Sequence, residues 1–356
     1  MPNERKAVTN VTLEDQLSYK DKLPPGVAYF ENNGFMVMGQ TEDHEISLGA
    51  CIFRAGGGRQ GTWQVEDTFK GQTTFTAVPK DKTGKMHNND FIGNRTWATD
   101  PWTGGSIRRT GDAVIWQLGK RQHICRPPYW EIRGEHMGVA CNLVMGGLGE
   151  VAYHKGKYAD LATNGRAGYE QPLWVEGTIT AGGRTYTLQK AFGCQEKFTQ
   201  SAWDLAQTLT ERPYYWVWWA SDSVRIFIYY FPSLGRSYSS VVVDGQAIPF
   251  ADEAGNSNIT MDELEWWTDP RTQMSIPIRW HFKLDSPNGV VDMMLSASSR
   301  AFYSYLTQSG ASIHYGMHAH SNGQFSFPDG HMVPLNNMMT YVEKGWCAIP
   351  LPSGAS

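Results

Sequence analysis

The sequence predicts an all-β protein built in two halves, and three observations lead there. Aromatic residues make up 13% of the 356 positions while charged residues make up only 19%, a balance suited to sheets that enclose aromatic-lined interiors. Turn formers are abundant, with 37 Gly and 18 Pro, and they interrupt short apolar runs at strand spacing. The third observation is alternation. Ile276, Ile278, Trp280, Phe282 and Leu284 share one face of a strand, with Pro277, Arg279, His281 and Lys283 on the other.

Taken in order, residues 1 to 25 are polar and are expected to wrap the surface, with Pro24-Pro25-Gly26 marking the entry to ordered structure. Strands are expected over 35–38, 46–53, 61–69 and 72–78, followed by a polar connection over 79–94 that holds His87. Residues 107–118 read as a strand pair turning near Thr110-Gly111-Asp112. Trp130, Ile132 and His136 then alternate with Glu131, Arg133 and Glu135. Neighbours on a strand face opposite ways, so only one of Glu135 and His136 can line a given cavity; His136 is a candidate proton donor and Trp130 a candidate wall. Residues 154–168 read as a glycine-rich loop. Residues 173–179 and 185–192 form a hairpin around Ala181-Gly182-Gly183. The best helix candidate lies within 197–212 and serves as the bridge, dividing the chain into domains 1–198 and 199–356.

The second half opens on Tyr-Tyr-Trp-Val-Trp-Trp-Ala-Ser-Asp-Ser-Val-Arg-Ile-Phe-Ile-Tyr-Tyr-Phe, residues 214–231. Its β-branched and aromatic content with a central Ser221-Asp222 break signals a hairpin. With those two residues as the turn, Trp219 faces Val224, Trp218 faces Arg225 and Trp216 faces Phe227. One face then carries Val217, Trp219, Ile226 and Ile228. The other carries Tyr214, Trp216, Trp218, Arg225, Phe227 and Tyr229. Two readings of this second face stay open: the wall of a ligand cavity, or a second core layer with Arg225 stacked on Trp218. Further strands are expected over 241–248 (turning at Asp244-Gly245), 259–267, 276–284 and 290–296, with Tyr341 opening a closing strand. His281, on the Arg279-His281-Lys283 stripe, belongs either to a solvated outer face or to a cationic cavity wall.

Net charge is −4 with no basic block, which argues against nucleic acid and anionic membrane as partners. No apolar run reaches membrane-spanning length, and the charged start Met1-Pro-Asn-Glu-Arg-Lys has no signal-peptide core. Five widely spaced Cys read as reduced thiols, so a cytoplasmic protein is expected. Nucleophilic hydrolase, dinucleotide and P-loop fingerprints are missing. His318-Ala-His320, with His314 nearby, resembles half of a cupin metal site, but residues 321–342 contain no Glu to complete it. No metal is therefore expected, and activity is expected to survive chelation. What remains is acid–base chemistry by scattered His, Glu, Tyr and Lys in an aromatic cavity.

Val175-Glu-Gly-Thr-Ile-Thr-Ala-Gly-Gly-Arg-Thr-Tyr-Thr-Leu, followed by Phe192-Gly-Cys-Gln-Glu-Lys-Phe, resembles the mid-chain signature of the lipocalin-like carotenoid hydratase family. That family includes fungal Diels–Alderases, hetero-Diels–Alderases and kievitone-hydratase-like proteins. Glu196 and Lys197 match its acid–Lys pair; Gln195 stands where His is usual and Phe198-Thr199-Gln200 replaces Asn-Trp-Gly. Tyr341-Val-Glu343 resembles its closing strand. The resemblance implies two tandem lipocalin-like β-barrel or β-sandwich domains, a hydrophobic small-molecule substrate, and chemistry without a redox cofactor: gain or loss of water, or a steered cyclisation.

The expected site therefore has Arg225, Glu196, Tyr229 and His136 as catalytic groups. Trp216, Trp218, Phe227, Tyr214, Trp130, Lys197 and His281 are expected to bind substrate. The expected function is a cofactor-independent cyclase of Diels–Alderase type, with dehydration to a reactive diene as one route, acting on a polyketide or terpenoid intermediate. The alternatives are a hydratase or dehydratase of an isoprenoid or polyphenol, a non-catalytic carrier, a carbohydrate-active β-sandwich and a cupin-like metalloenzyme. A carrier calls for a deep pocket with no ionisable group at its base.

Overall fold

A computed structural model describes residues 6–24, 27–56, 58–60, 63–65, 68–86, 98–99, 104–201, 213–253, 255–307 and 310–350. The expected all-β class is what forms. The first half contributes β1 (Tyr29–Gln40), β2 (His44–Gly56), β3 (Gly58–Gln60), β4 (Trp63–Val65), β5 (Thr68–Pro79), β6 (Ala98–Thr99), β7 (Ser106–Thr110), β8 (Ala113–Leu118), β9 (Arg121–Arg126), β10 (Tyr129–His136), β11 (Val139–Gly147), β12 (Arg166–Ala181), β13 (Arg184–Thr187) and β14 (Lys190–Ser201). The second contributes β15 (Tyr214–Ala220), β16 (Val224–Phe231), β17 (Arg236–Val243), β18 (Gln246–Ile248), β19 (Asn258–Thr268), β20 (Ser275–Ser286), β21 (Gly289–Thr307), β22 (Gly310–Ser326) and β23 (Met332–Pro350). One four-residue α-helix, α1 (Leu161–Asn164), stands among the described residues.

Two large antiparallel sheets result. The twelve-stranded sheet runs β6-β5-β2-β1-β14-β12-β11-β10-β9-β8-β7 with β13 added on β12, and the nine-stranded sheet runs β18-β17-β16-β15-β23-β22-β21-β20-β19. In each half the first long strand pairs with the last, β1 with β14 and β15 with β23. That pairing curls each sheet around its own core. Phe35, Leu48, Phe75, Trp130, Leu143 and Tyr169 fill the first; Val217, Trp219, Trp280, Phe282, Leu295 and Met317 fill the second. No described helix is long and apolar enough to cross a membrane.

Alternation leaves each sheet a second face, and the two second faces pack on one another. Phe30, Met36, Met38, Cys51, Phe53, Phe192 and Phe198 from the first half meet Tyr214, Trp216, Trp218, Phe227, Phe231, Met339 and Tyr341 from the second in one apolar cluster. Glycines make room for two of these rings on the second sheet: a Cβ at Gly316 would stand 2.0 Å from the Tyr341 hydroxyl, and one at Gly345 would stand 2.3 Å from the Tyr214 ring.

Three expectations need correction. Residues 197–201 close β14 instead of starting a helix, because Lys197, Thr199 and Ser201 continue its pairing with β1; residues 202–212 lie outside those described, as does His87. The N-terminal segment does not simply wrap the surface. Val11, Tyr19 and Leu23 join the first core, and fully buried Gln16 enters it. There Gln16 donates to the Tyr169 hydroxyl at 2.6 Å, accepts from Gln195 Nε2 at 2.8 Å, and its carbonyl accepts from Trp116 Nε1 at 2.7 Å. A buried amide with that many partners is stable where an unpaired one is not. Finally, the 214–231 hairpin turns on Asp222 and Ser223, with Ser221 N donating to the Val224 carbonyl at 2.9 Å, and not on Ser221 and Asp222. Trp219 pairs with Ile226, Trp218 with Phe227 and Ala220 with Arg225, because Ser221 caps the turn through its hydroxyl to Val224 N at 2.9 Å. The shift is two residues, an even number, so both predicted faces keep their members.

Candidate active site

The layer between the halves contains an acidic cluster that its apolar surroundings make reactive. On β14, Glu196 lies in register with Gly34 of β1 and with Glu170 of β12. Two carboxyls thus stand side by side on adjacent strands, both aimed into the layer, Glu170 buried and Glu196 half-buried. Glu170 accepts from Trp216 Nε1 at 3.0 Å and from the Cys194 thiol at 3.0 Å. Glu196 accepts from Asn32 Nδ2 at 2.5 Å. His154 Nε2 stands 3.7 Å from Glu170 Oε1, with its side chain fully buried. The imidazole is edge-on to Phe227, Tyr229 and Tyr238.

A third carboxyl, Glu343, is held differently. It accepts from the Tyr214 hydroxyl at 2.5 Å and from Tyr303, and its Oε1 lies 3.3 Å from His314 Nδ1. Burial opposes its charge, yet these hydrogen bonds outweigh burial and lower its pKa. A carboxylate that stays ionised makes a second charge nearby expensive. Burial pushes Glu170 far above the ordinary carboxyl range and the Glu196 charge adds to it, with Cys194 and Trp216 opposing. Glu196 is raised to about 7, by burial first and then by Glu343, against Lys155 and Asn32. Burial holds the His154 pKa well down. Both shifts favour the uncharged forms, a protonated carboxyl at Glu170 beside a neutral imidazole.

A small cleft, with an enclosed volume of about 40 Å3 behind an open mouth, reaches this acid. Glu170 and Cys194 line it from the first half; Trp218, Arg225 and Phe227 line it from the second. The Trp218 indole N–H is buried without a hydrogen-bond partner, as is Arg225 Nε. A buried donor left unpaired is costly, so such groups mark a place where a ligand can accept. Burial also lowers the Arg225 pKa. The pocket thus combines a neutral acid, a half-buried guanidinium, an unpaired indole N–H and flat apolar walls.

The structure brings together Arg225, Trp218 and Phe227 in the pocket, with Glu196 and Trp216 touching or adjoining Glu170 behind it. Tyr229 and Tyr214 stand in the same layer, ring to ring at 5.3 Å, with Tyr214 committed to Glu343. Three other candidates lie elsewhere. Trp130 is fully buried in the first core, its indole 3.3 Å from Gln16 Oε1. His136 bonds Thr73 Oγ1 at 2.8 Å on the β10 end, and burial holds its pKa down at about 4. His281 sits on the outer face between Asp292 at 2.9 Å and Asp262 at 3.9 Å. Lys197 is set apart from its neighbour Glu196 by strand alternation. It points into the first core, 5.0 Å over the Trp116 ring and 3.4 Å from the Tyr158 hydroxyl, where burial lowers its pKa to about 8. The acid–Lys pair therefore serves two different interiors. Glu170, His154 and Cys194 are the site residues that sequence reasoning missed.

No family model matches the chain, and no curated protein sequence matches it. Among solved structures, CghA crystallised with Sch210972 superimposes with a TM-score of 0.55 at 10% identity, covering 91% of this chain and 89% of that one. A putative AttH of Nitrosomonas europaea gives 0.54 at 10% identity, covering 98% and 99%. Kievitone hydratase from Nectria haematococca gives 0.52 at 10% identity, covering 96% and 97%. The chain has the fold of these proteins over nearly its whole length, and the two lipocalin-like domains expected from residues 175–198 are borne out.

Proposed function

We propose that the chain is an enzyme in which Glu170 acts as a general acid on a hydrophobic polyketide or terpenoid intermediate, removing water to give a reactive diene that cyclises in the same pocket. The supporting observation is the carboxyl kept protonated by burial beside a second carboxyl, at the base of an aromatic pocket. A carrier has no use for an ionisable group there, and its desolvation is a standing cost.

In this reading the Glu170 proton goes to the substrate hydroxyl, the C–O bond breaks with its electron pair, and water leaves. The carboxylate so formed then takes a proton from the neighbouring carbon, directly or through His154, which restores the acid and leaves a new double bond. Arg225 and the Trp218 N–H hydrogen-bond a substrate carbonyl, which holds the chain in a near-attack shape and polarises the new diene system for Diels–Alder or hetero-Diels–Alder closure. Closure itself moves no atoms in or out. Run backwards, the proton step is a hydration; one structural neighbour is by name a hydratase.

The test is Glu170→Gln, assayed on hydroxylated polyene precursors made by neighbouring biosynthetic genes. Gln keeps the shape and can donate a hydrogen bond, but it cannot transfer a proton. Loss of water should slow roughly 10²–10⁴-fold, while cyclisation of a pre-dehydrated diene should persist. Unchanged dehydration by Glu170→Gln sinks the assignment.

A further inference from the structure

Away from that pocket, β2 and β22 place three metal-ligand side chains together. His318 and His320 alternate on β22 and therefore project from the same face, opposite Tyr315, Met317 and Ala319 in the second core. Glu45, on β2 of the other half, faces them. His318 Nε2 lies 3.1 Å from Glu45 Oε2, and His320 Nε2 contacts the same oxygen. The two imidazoles stand nearly perpendicular, 82° between planes, with centroids 5.4 Å apart. All three donor atoms fall within 4.8 Å of one another. The other carboxylate oxygen is engaged by Gln40 Nε2 at 3.1 Å, which turns Oε2 toward the imidazoles. The carboxylate that the sequence does not supply downstream of His320 thus comes from 273 positions upstream of His318.

We infer that Glu45, His318 and His320 form a binding site for a divalent transition-metal ion, Zn2+ by its donor set, which clasps the two halves of the molecule. Borderline N and O donors suit Zn2+. Donors bonded to a tetrahedral ion at about 2.0–2.2 Å stand about 3.3–3.6 Å apart, so binding opens the Glu45–His318 edge by a few tenths of an ångström and the tighter Glu45–His320 edge by about 1 Å. The carboxylate and two neutral imidazoles offset one of the two positive charges, and a solvent molecule completes the shell. Side-chain exposure of 0% for His318, 5% for Glu45 and 7% for His320 leaves the His320 edge as the way in. Both Nδ1 atoms are buried without hydrogen-bond partners. Metal-binding imidazoles ordinarily donate from that nitrogen, and losing such support costs roughly 10–100-fold in affinity. The site should therefore exchange with chelators.

Full-length protein stripped with chelator and dialysed is titrated with Co2+ and, separately, Zn2+. The expected result is one equivalent bound, a visible Co2+ d–d spectrum of four-coordinate N/O type that Zn2+ bleaches, and a melting temperature raised by roughly 5 °C or more at saturating Zn2+. His320→Asn and Glu45→Gln should each abolish the spectrum and the shift. His154, Glu170 and Glu196 are a second trio of close donor atoms, although Trp216, Cys194 and Asn32 already engage its carboxyls. Glu170→Gln is therefore the control and should bind like wild type. Wild-type protein that binds neither ion overturns the inference, because Glu45 is then only a hydrogen-bond acceptor for two histidines. Binding lost in Glu170→Gln and kept in His320→Asn overturns it as well. The binding readout does not depend on the proposed reaction.

Discussion

The protonated state of the carboxyl pair can be measured without a substrate, through the pH dependence of stability in wild type, Glu196→Gln and Glu170→Gln. Both carboxyls are raised by burial in the folded protein, so the folded state binds more protons than the unfolded chain. A group with a raised folded pKa leaves stability intact below its unfolded value and erodes it as pH climbs through the folded value. For Glu196 the window runs from the ordinary value of 4.5 to about 7. Complete ionisation then costs about 3 kcal/mol at the standard conversion. Gln carries no such cost and its Oε1 can still accept from Asn32 or Trp216. At about pH 5 each variant should match wild type or fall slightly below it; at about pH 8 each should be the more stable, Glu196→Gln by about 3 kcal/mol. Urea unfolding across that range reads the difference directly. Curves for wild type and variants that stay parallel would mean both carboxyls are already ionised at low pH. Glu170 would then have no proton to give, and the proposed reaction fails with it.

Arg225→Ala removes a charge-assisted hydrogen bond worth about 1.5–3 kcal/mol, so kcat should drop roughly ten- to a hundredfold in steady-state assays; a lower melting temperature with intact kinetics would make that face plain core. Trp218→Ala should raise KM more than it lowers kcat, since it removes stacking area. Lys197→Met should be more stable than wild type at neutral pH, because a lysine whose pKa falls to about 8 destabilises the fold below that value and recovers as pH rises toward its ordinary 10.5. Asp269→Ala should destabilise by about 3–5 kcal/mol in thermal unfolding, because it takes the carboxylate that bonds the Arg300 guanidinium at 2.6 and 3.1 Å away from a cation with no exposed side-chain surface.

Which parts of this molecule were legible in the sequence follows from the range of the interactions that set them. Face membership is local, so the 214–231 hairpin yielded the right pocket residues although its turn was misjudged; an even shift preserves parity. Pairing between distant strands is not local. Glu170 was missed because the strand was started at Leu173; in fact β12 runs from Arg166 and carries Pro172 opposite Cys194. Only the β12–β14 register, which no sequence rule supplies, sets Glu170 beside Glu196. Glu45 was overlooked in the same way, one residue before the strand expected from Ile46; β2 in fact begins at His44.

The same distinction explains why the motif acid alone did not reveal the site. Glu196 by itself is a half-buried carboxyl that accepts from Asn32. Its significance comes from Glu343, held ionised by Tyr214, Tyr303 and His314 from the other half. In a layer this apolar one carboxylate can be stabilised by hydrogen bonds, and its field makes each further ionisation harder. Tyr214→Phe tests that chain of effects at its start. Removing the hydroxyl takes away one of the donors that hold Glu343 charged, so Glu343 should protonate more readily and Glu196 should ionise at lower pH than in wild type. In the urea experiment the pH at which wild-type stability begins to fall would move down in Tyr214→Phe, while Glu196→Gln combined with Tyr214→Phe would lose that shift. If the onset stays put, Glu343 does not govern Glu196, and burial alone sets the acid.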